Sequence, residues 1–330
     1  MSNTSETALW FYLHEAKIGV TYAGTEIQRI LSTFGSLQGL REVPSEEAVE
    51  IAPDARSREL AKSILKKLRL VSDSDLRRYE REIVRMKDNE IDVLHFSHHD
   101  YPSKLRSIGE PPLVIFHRGE FRTFDQGHYV AIVGTRQSSH RAHYFARELA
   151  RELAKRRYVI VSGLARGIDT EAHCGALDVG GKTIAVLPNP IDKVYPSENR
   201  QLSMDISKNG ALISQTSNLE YSRRAMAPHR FVDRNKITSG LSEVVVIVEI
   251  GPTEGSLHQF DFAMRQGRRV YVPQPPDYLR SAYEGYENLL KHGAVSLHST
   301  QDVVNFVEAK QTTQRVERGS LDSYTKLDQV

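Results

Sequence analysis

The sequence predicts an α/β fold built on a doubly wound, mainly parallel β-sheet, preceded by a small helical domain. Two observations indicate the sheet: short apolar segments recur from residue 129 onward, and most of them are followed by a segment with helical spacing. Strands that alternate with helices pair in parallel and are covered by helices on both faces. A third observation indicates the helical domain, because the patterns before residue 90 are helical.

The N-terminal part is read as short helices. The segment Thr25–Phe34 repeats apolar residues at the spacing of one helical face, and Gly35 ends it. Residues 55–90 are also predicted to be helical, with a strongly basic surface. These patterns predict a domain of helices without strands.

The predicted strands and helices of the second part follow one another in a regular order. Two strand-like segments, residues 91–96 and 113–116, come first, and prolines mark an extended connection between them. Buried strands are then predicted at residues 129–133, 158–161, 183–187, 211–214, 244–248 and 269–272. Helices are predicted at residues 141–156, 170–179, 198–209, 256–266 and 286–292.

These patterns divide the chain into four parts. Residues 1–90 are predicted to form the helical domain, residues 91–117 an extended lead-in, and residues 118–300 a Rossmann-like domain. The residues beyond Lys310 are polar and show no apolar periodicity, and we expect residues 301–330 to form a mobile C-terminal tail.

Composition excludes several classes of protein. The 330 residues are 39% hydrophobic and 26% charged, which excludes wholesale disorder. The net charge of +2 means that any anion-binding surface is a local patch. The single cysteine, Cys174, excludes a disulfide framework and a multi-cysteine zinc site. No membrane span or secretory signal is evident, so a cytoplasmic location is expected.

The residues that follow the predicted strands form the first candidate site, because such sheets bind ligands beyond the carboxyl ends of their strands. Gly134, Thr135 and Arg136 follow one strand, and the segment Ser162–Asp169 follows the next. Small residues let the backbone approach an anion, and arginine offers forked donors that match phosphate oxygens. The pattern favours a phosphate site, with tight turns and solvated arginines as the structural alternative.

The motifs of nucleotide cofactors are absent from the strand ends. The segment GTRQSSH at residues 134–140 does not contain G-x-G-x-x-G, and no G-x-x-x-x-G-K-[ST] occurs in the chain. We therefore expect neither NAD nor P-loop ATP binding, and predict no cofactor.

Two groups of titratable residues are candidates for catalytic or metal sites. Asp169 and His173 lie four residues apart on a predicted helix, a spacing that could orient an acid/base histidine or hold a metal. A helix-start carboxylate beside a packed histidine is the favoured interpretation. Residues 98–100, His-His-Asp, are likewise interpreted as a polar loop. We predict no catalytic residue and no metal site.

A basic segment forms the second candidate site. Five Lys or Arg and one acidic residue lie between Arg223 and Lys236, with Tyr221 and Phe231 interleaved or adjacent. Basic side chains beside aromatic rings fit single-stranded nucleic acid, through phosphate neutralisation and base stacking. A solvated charged face is the alternative.

Several longer segments occur in a definite order along the chain. They are AIVGTR at 131–136, VSGLARGIDTEAHCGAL at 161–177, TIAVLPNPIDKVYPSEN at 183–199, RFVDRNKITSGLS at 230–242, EGSLHQFDFAMRQGRRVYVP at 254–273 and GYENLLKHGA at 285–294. This ordered set closely resembles the DprA/Smf family of DNA-processing proteins, over about residues 90–295. The helical N-terminus is similar to the SAM-like domain that often precedes the family's Rossmann-like core.

The resemblance implies a protein that binds single-stranded DNA without covalent chemistry, forms a homodimer and helps to load a RecA-type recombinase. It implies a pocket lined by Arg136, the segment Ser162–Asp169 and the segment Arg234–Lys236. Our predicted phosphate- and nucleic-acid-binding residues are Gly134, Thr135, Arg136, Ser162, Gly163, Arg166, Gly167, Asp169, His173, Arg230, Arg234, Asn235, Lys236, Gly255 and Ser256. The family's small-residue segment reads Glu254 to Phe260 here, and we expect the Phe260 ring to fill space there.

We predict a non-catalytic single-stranded-DNA-binding protein of DNA processing and recombination. One alternative is a regulator or antitoxin that senses a nucleotide or a DNA end and restrains a partner toxin or effector enzyme. Another is hydrolysis of a nucleotide N-glycoside bond with Glu249 or Glu254 as base. For the homodimer, we expect the apolar surface of the helix at 256–266 and the strand Val270–Val272 to contribute to the interface.

Overall fold

A nine-stranded sheet is the centre of the computed structural model, which describes residues 3–17, 24–52, 54–120, 127–223, 229–250, 256–276 and 279–312. Across the described residues the strands lie in the order β1-β2-β6-β5-β4-β3-β7-β8-β9. Their bounds are β1 Asp92–His95, β2 Val114–Gly119, β3 His128–Val133, β4 Tyr158–Ser162, β5 Thr183–Leu187, β6 Ala211–Ser214, β7 Val244–Ile247, β8 Arg269–Pro273 and β9 Val295–Leu297.

Strands β3 to β9 are parallel to one another, and β3 lies in the middle of the sheet. From β3 the chain proceeds outward through β4 and β5 to β6, then returns to β7 on the opposite side of β3. The connections therefore diverge between β3 and β7, which is the topological switch point where doubly wound sheets bind ligands. The predicted fold class is confirmed.

The central strands are apolar on both faces because helices cover both. Val130 and Ile132 of β3 pack towards one face, which is covered by α8 (His140–Lys155), α9 (Ile168–Leu177) and a helix over residues 300–312, α15. Ala131 and Val133 pack towards the other face, which is covered by α13 (Ser256–Arg265) and α14 (Arg280–Lys291). This alternation accounts for the continuous apolar runs in the sequence.

Along the chain, three further helices of the described residues lie between strands β5 and β7. They are α10 (Arg200–Asn209), α11 (Asn218–Arg223) and α12 (His229–Leu241). Sequence periodicity did not predict α12, because its buried positions are mostly polar or small and only Ile237 and Leu241 are large and apolar. This helix carries most of the basic segment, so its placement decides which of those cations reach a ligand.

In its described residues, the N-terminal part forms six helices that share a core with the edge of the sheet. Their bounds are α1 Asn3–Glu15, α2 Gly24–Phe34, α3 Leu37–Glu42, α4 Ser45–Ile51, α5 Ala55–Leu68 and α6 Asp73–Asp88. Phe11 of α1 packs edge-on against Phe116 of β2, with ring centroids 5.3 Å apart, and Trp10 stacks on His95 of β1 at 5.7 Å. The helical part is thereby fixed to the sheet.

The strand-like segments predicted at residues 91–96 and 113–116 correspond to β1 and β2, but residues 91–117 do not form a lead-in separate from the sheet. This segment contains β1, the short helix α7 (Ser103–Arg106) and most of β2, and both strands belong to the sheet. Strand β2 pairs antiparallel with β6, placing Phe116 opposite Ser214. The prolines that suggested a connector lie outside the paired residues.

The prediction of a mobile tail over residues 301–330 is wrong for its first part. Residues 300–312 are helical, and Val303, Val304 and Val307 are buried in the core on the α8 face. The large apolar residues of this helix, Val303, Val304, Phe306 and Val307, span little more than one turn, and this short periodic signal explains the error. The rest of the predicted tail, residues 313–330, lies outside the described residues.

Two expectations about apolar residues are corrected. Strand β8 pairs with both β7 and β9, and Val270 and Val272 are buried within the sheet, so this strand is not available to a dimer interface. The Phe260 ring packs into the core beneath α13 instead of filling space at a ligand site. Met264 of the same helix is 38% exposed. None of the described helices is both long and apolar enough to span a membrane.

The packing of α15 can be tested by stability. Val303 is fully buried, so Val303→Ala should lower the free energy of unfolding by about 1–3 kcal/mol, the cost of removing buried methyl groups. Glu308→Ala changes an exposed residue of the same helix and serves as the control. Chemical denaturation measures both. Equal stability of Val303→Ala and wild type would show that α15 does not pack on the sheet.

Candidate nucleic-acid interface

A cleft of about 460 Å³ opens at the carboxyl ends of the strands, beside the switch point between β3 and β7. The loop after β3, the segment between β4 and α9, and the facing sides of α12 and α13 form its walls. The lining residues are Val133, Gly134, Thr135, Arg136, Gln137, Ala165, Asp169, Phe231, Val232, Arg234, Asn235, His258 and Gln259. An adjoining slot is lined by Arg136, Gly163, Ala165, Arg166, Pro188, Tyr195, Pro196, Phe231 and Arg234.

Arg136 is the exposed cation of the cleft. Its guanidinium carbon lies 5.1 Å from the centroid of the Phe231 ring, within the range of a cation–π contact. The loop that carries Arg136 is fixed by a backbone hydrogen bond, in which the Thr135 amide donates to the Glu249 carbonyl at 2.9 Å. None of the described carboxylates forms an ion pair with Arg136, so its charge is available to an anion.

Aromatic surface extends from Phe231 into the slot. The Tyr195 ring meets the Phe231 ring at 78°, with centroids 6.3 Å apart, and Tyr195 is 37% exposed. Pro188 and Pro196 also line the slot. Flat apolar groups beside arginines provide a surface on which a nucleobase can stack.

Arg234 is the buried cation of the site. Its Nη1 lies 3.6 Å from Asp169 Oδ2 and donates to the Val186 carbonyl at 3.3 Å. Burial lowers the pKa of Arg234, and the Asp169 charge opposes that shift. Arg234 therefore forms a fixed part of the cleft wall. Its positive charge is paired with the Asp169 carboxylate.

The Asp169 carboxylate also orders the loop that leads into α9. Its Oδ2 accepts hydrogen bonds from the amides of Gly163 at 3.1 Å and Ala165 at 3.3 Å. Burial raises the pKa of Asp169, and the Arg234 charge acts against that rise. The carboxylate is thus occupied by protein donors from three positions.

The glycines of the strand ends serve packing, which differs from the predicted approach of backbone to an anion. A Cβ at Gly163 would lie 1.0 Å from Arg234 Nη1, so only glycine leaves room for the guanidinium. Gly167 has a φ of +77°, and a Cβ there would lie 2.7 Å from the Thr135 carbonyl oxygen. These glycines let α9, α12 and the Arg136 loop come together.

Arg166 lies at the mouth of the slot and is exposed, but it forms an ion pair with Glu198. The hydrogen bond from Arg166 lowers the pKa of Glu198, so that carboxylate is ionised at neutral pH. A phosphate group that binds Arg166 must therefore compete with Glu198.

Several predicted site residues do not line the cleft. Ser162 and His173 are buried: the Ser162 hydroxyl donates to the Ile132 carbonyl at 2.7 Å, and His173 Nδ1 lies 2.7 Å from Thr183 Oγ1. Both are therefore inaccessible to a ligand, and their prediction as binding residues is wrong.

The basic segment is divided by the geometry of α12. Arg234 and Asn235 line the cleft, whereas Arg230 is directed towards Glu220 and Lys236 forms an ion pair with Glu110 at 3.5 Å. The prediction that Arg230 and Lys236 contact nucleic acid is not supported by this placement. Arg224 and Gly255 lie outside the described residues, and Ser256 is described only as the first residue of α13.

The residues weighed for catalysis have structural roles. Asp169 and His173 do not bond to each other, which agrees with the favoured interpretation of a helix-start carboxylate and a packed histidine. The Glu249 carboxylate accepts from both the amide and the hydroxyl of Ser139, the N-cap of α8. Glu254 lies outside the described residues.

The His-His-Asp turn lies after β1, away from the lining of the cleft. The donor atoms of His98, His99 and Asp100 lie within 4.8 Å of one another, and His98 Nδ1 accepts from the Asp100 amide at 3.2 Å. The Arg106 guanidinium donates to the His98 carbonyl at 2.8 Å. These hydrogen bonds stabilise the turn, so its residues have a structural role.

Sequence reasoning missed part of the lining. His258 and Gln259 of α13 face the cleft, and Gln259 Nε2 donates to the Asn235 carbonyl at 3.2 Å, which ties α13 to α12. Tyr195 is a further lining residue that the predicted site omits. Its position directly before Pro196, in the segment that follows the strand at 183–187, is the signal in the sequence.

Comparison with known proteins identifies related sequences. The family model described as "DNA recombination-mediator protein A" matches residues 92–308. The Bacillus subtilis protein named "DNA processing protein DprA" is 33% identical over 224 residues, which are 68% of this chain and 73% of that protein. The Synechocystis "Protein Smf" is 37% identical over 199 residues, 59% of this chain and 48% of that protein. The chain thus spans about half the length of the Synechocystis relative.

Two solved structures are similar to the model. The X-ray structure of DNA processing protein A from Streptococcus pneumoniae has a TM-score of 0.69 at 26% identity, covering 90% of this chain and 97% of that one. A structure of DNA processing protein A from Helicobacter pylori, described for its single-stranded DNA binding mode, has a TM-score of 0.58 at 27% identity. It covers 67% of this chain and 97% of that one.

The buried histidines predict how stability depends on pH. Burial lowers the pKa of His173 to about 3 and those of His14 and His95 to about 4, so all three are neutral in the folded protein at pH 5–6.5. In the unfolded chain they gain protons below a pKa of about 6.5, so each should lower the free energy of unfolding by about 1.4 kcal/mol per pH unit as pH falls.

His173→Gln should reduce this slope by about one histidine's contribution, that is about 1.4 kcal/mol per pH unit. His99→Gln replaces a histidine whose side chain is 82% exposed, and it should leave the slope unchanged. Denaturation between pH 5 and 6.5 measures both variants. An unchanged slope in His173→Gln would contradict the burial of a neutral imidazole.

Proposed function

The chain belongs to the DNA recombination-mediator protein A family, and we propose that it binds single-stranded DNA in the cleft between Arg136 and α12, as a non-catalytic protein of DNA processing and recombination. The observation that carries this proposal is the contact between an exposed arginine and an aromatic ring at the switch point of the sheet. Arg136 neutralises a phosphate, while Phe231 and Tyr195 offer stacking surfaces for bases.

The dimensions and chemistry of the cleft favour a single strand over a duplex. Its exposed arginine, Arg136, lies beside the Phe231 ring, and further aromatic surface lines the adjoining slot. Bases must be unpaired and splayed to stack on such rings. The lining offers phosphate and ring contacts, so binding depends weakly on base sequence.

We propose that the protein does not catalyse a reaction, because the residues that could act as a general base have structural roles. Asp169 is held by Arg234 and two amides, His173 is fully buried, and Glu249 accepts hydrogen bonds from Ser139, the N-cap of α8. A general base needs an accessible lone pair near the substrate. From family membership we further propose a homodimer that delivers its bound strand to a RecA-type recombinase.

A binding titration tests the proposal. Fluorescent oligonucleotides of the same length, single-stranded and duplex, are titrated with the protein over a salt series. The single strand should bind more tightly at every salt concentration, and mixed and homopolymeric strands should bind within a few-fold of one another, because stacking is sequence-tolerant. Equal affinity for single strand and duplex would contradict the proposed mode of binding.

Substitution of Arg136 tests the location of the site. Arg136→Ala should weaken binding by about 1–3 kcal/mol, the range for hydrogen bonds to a charged group. It should also reduce the slope of log K against log salt by about 0.7, the loss of one phosphate contact on a single strand. Arg136→Lys keeps the charge but not the forked donors, so it should restore binding in part.

Arg156→Ala is the matched control, since it removes the same charge from an exposed residue at the opposite end of α8. It should bind DNA as wild type does. Thermal unfolding of each variant confirms that the fold is retained. Wild-type affinity and salt slope in Arg136→Ala would show that the cleft is not the binding site.

A further inference from the structure

Arg230, the residue before Phe231, faces away from the cleft and into the junction with the N-terminal helices. Only 3% of its surface is exposed. Its Nη2 donates to the Glu220 carbonyl at 3.2 Å, and its Nε lies 3.9 Å from Glu220 Oε1. Its guanidinium also lies 5.3 Å from the Tyr221 ring centroid. A cation so buried anchors α12 to α11.

Glu220 in turn contacts the N-terminal helical part. Its carboxylate accepts from Lys17 Nζ at 3.0 Å, and Lys17 lies two residues beyond the end of α1. Two further contacts join the same elements: the Ser217 hydroxyl donates to Glu15, and His14 Nε2 lies 2.7 Å from the Gln215 carbonyl oxygen. Glu220 thus bridges a cation from α12 and a cation from the N-terminal part.

Helix α12 carries both Arg230, which contacts α11, and residues that line the cleft. Arg230 and Arg234 lie one turn apart on the buried side of α12, and Phe231 lies next to Arg230 in the sequence. Any displacement of Arg230 therefore shifts the ring that contacts Arg136 and the guanidinium that contacts Asp169. The position of α12 decides whether the cleft has its binding geometry.

We propose that Glu220 is a positioning residue through which the N-terminal helix α1 controls the DNA affinity of the cleft. The proposal rests on the proposed function, because it concerns regulation of the same site. Removal of the Glu220 charge leaves a buried guanidinium without its carboxylate, which is costly, so Arg230 and with it α12 must move. A partner that displaced α1 from α11 would have the same effect.

Four variants of the full chain test this inference. They are Glu220→Gln, Lys17→Ala, Arg230→Ala and, as the matched control, Glu152→Gln, whose carboxylate pairs with Lys155 and Arg156 on the exposed side of α8. Two quantities are measured. One is the affinity for a single-stranded oligonucleotide over a salt series, and the other is amide hydrogen exchange of residues 229–241 in the absence of DNA.

Glu220→Gln should raise the Kd about 5- to 10-fold, in the lower range of coupling between sites. Its salt slope should equal that of wild type, because no phosphate contact is lost. Arg230→Ala should also keep the wild-type slope, whereas Arg136→Ala should lose about 0.7. Both Glu220→Gln and Lys17→Ala should exchange faster in α12, and Glu152→Gln should match wild type in both measurements.

A reduced salt slope in Arg230→Ala would overturn the inference, since Arg230 would then contact phosphate directly. Unchanged affinity and exchange in both Glu220→Gln and Lys17→Ala would also overturn it. Lys17 is half-exposed, so Lys17→Ala remains informative if Glu220→Gln does not fold. If the wild-type protein does not bind single-stranded DNA, the proposed function fails, and exchange in α12 still decides the coupling.

Discussion

The ion pair between Arg234 and Asp169 joins the parts of the molecule that build the cleft. Arg234 comes from α12, Asp169 from the first turn of α9, and the Val186 carbonyl that Arg234 also contacts belongs to β5. A buried charge is tolerated only when its partners satisfy it. The position of α12 over the sheet is therefore constrained by electrostatics as well as by apolar packing, and Gly163 supplies the room that the guanidinium needs.

This constraint separates the arginines of the site by role. Arg234 is occupied by protein acceptors and shapes the wall, Arg166 is shared with Glu198, and Arg136 is exposed over an aromatic ring. These three arginines follow strand ends or lie in the basic segment of the sequence, yet they differ in how readily each can bind a phosphate group. The difference arises from the carboxylates that lie beside Arg166 and Arg234. A paired arginine must give up its carboxylate before it can bind a phosphate group.

The N-terminal helices are part of the same system. They pack on the sheet edge through Phe11 and Phe116, and they reach α12 through Lys17, Glu220 and Arg230. The first contact is apolar and the second is ionic. The ion pair between Lys17 and Glu220 is half-exposed on the Lys17 side, so it can be exchanged for water or for a partner at lower cost than the apolar core, which makes it the more adjustable contact.

Local sequence patterns predict the parallel sheet and the edge at which the site lies. Apolar runs such as Val244–Ile247 are continuous because both faces of the strand are buried, and that pattern is local. The residues after β3 and β4 could be named as a site for the same reason, since the carboxyl ends of parallel strands meet at one edge. The motifs then placed the chain within a family.

Which of the candidate residues can reach a ligand depends on contacts between distant segments of the chain. Arg230, Arg234 and Lys236 lie within two turns of one helix, yet they face Glu220, Asp169 and Glu110, and no local pattern encodes those partners. The antiparallel pairing of β2 with β6 joins residues about 100 positions apart, and Val303 is buried only because α8 and the sheet cover it. Contacts between distant segments fix these outcomes, so periodicity and spacing alone do not reveal them.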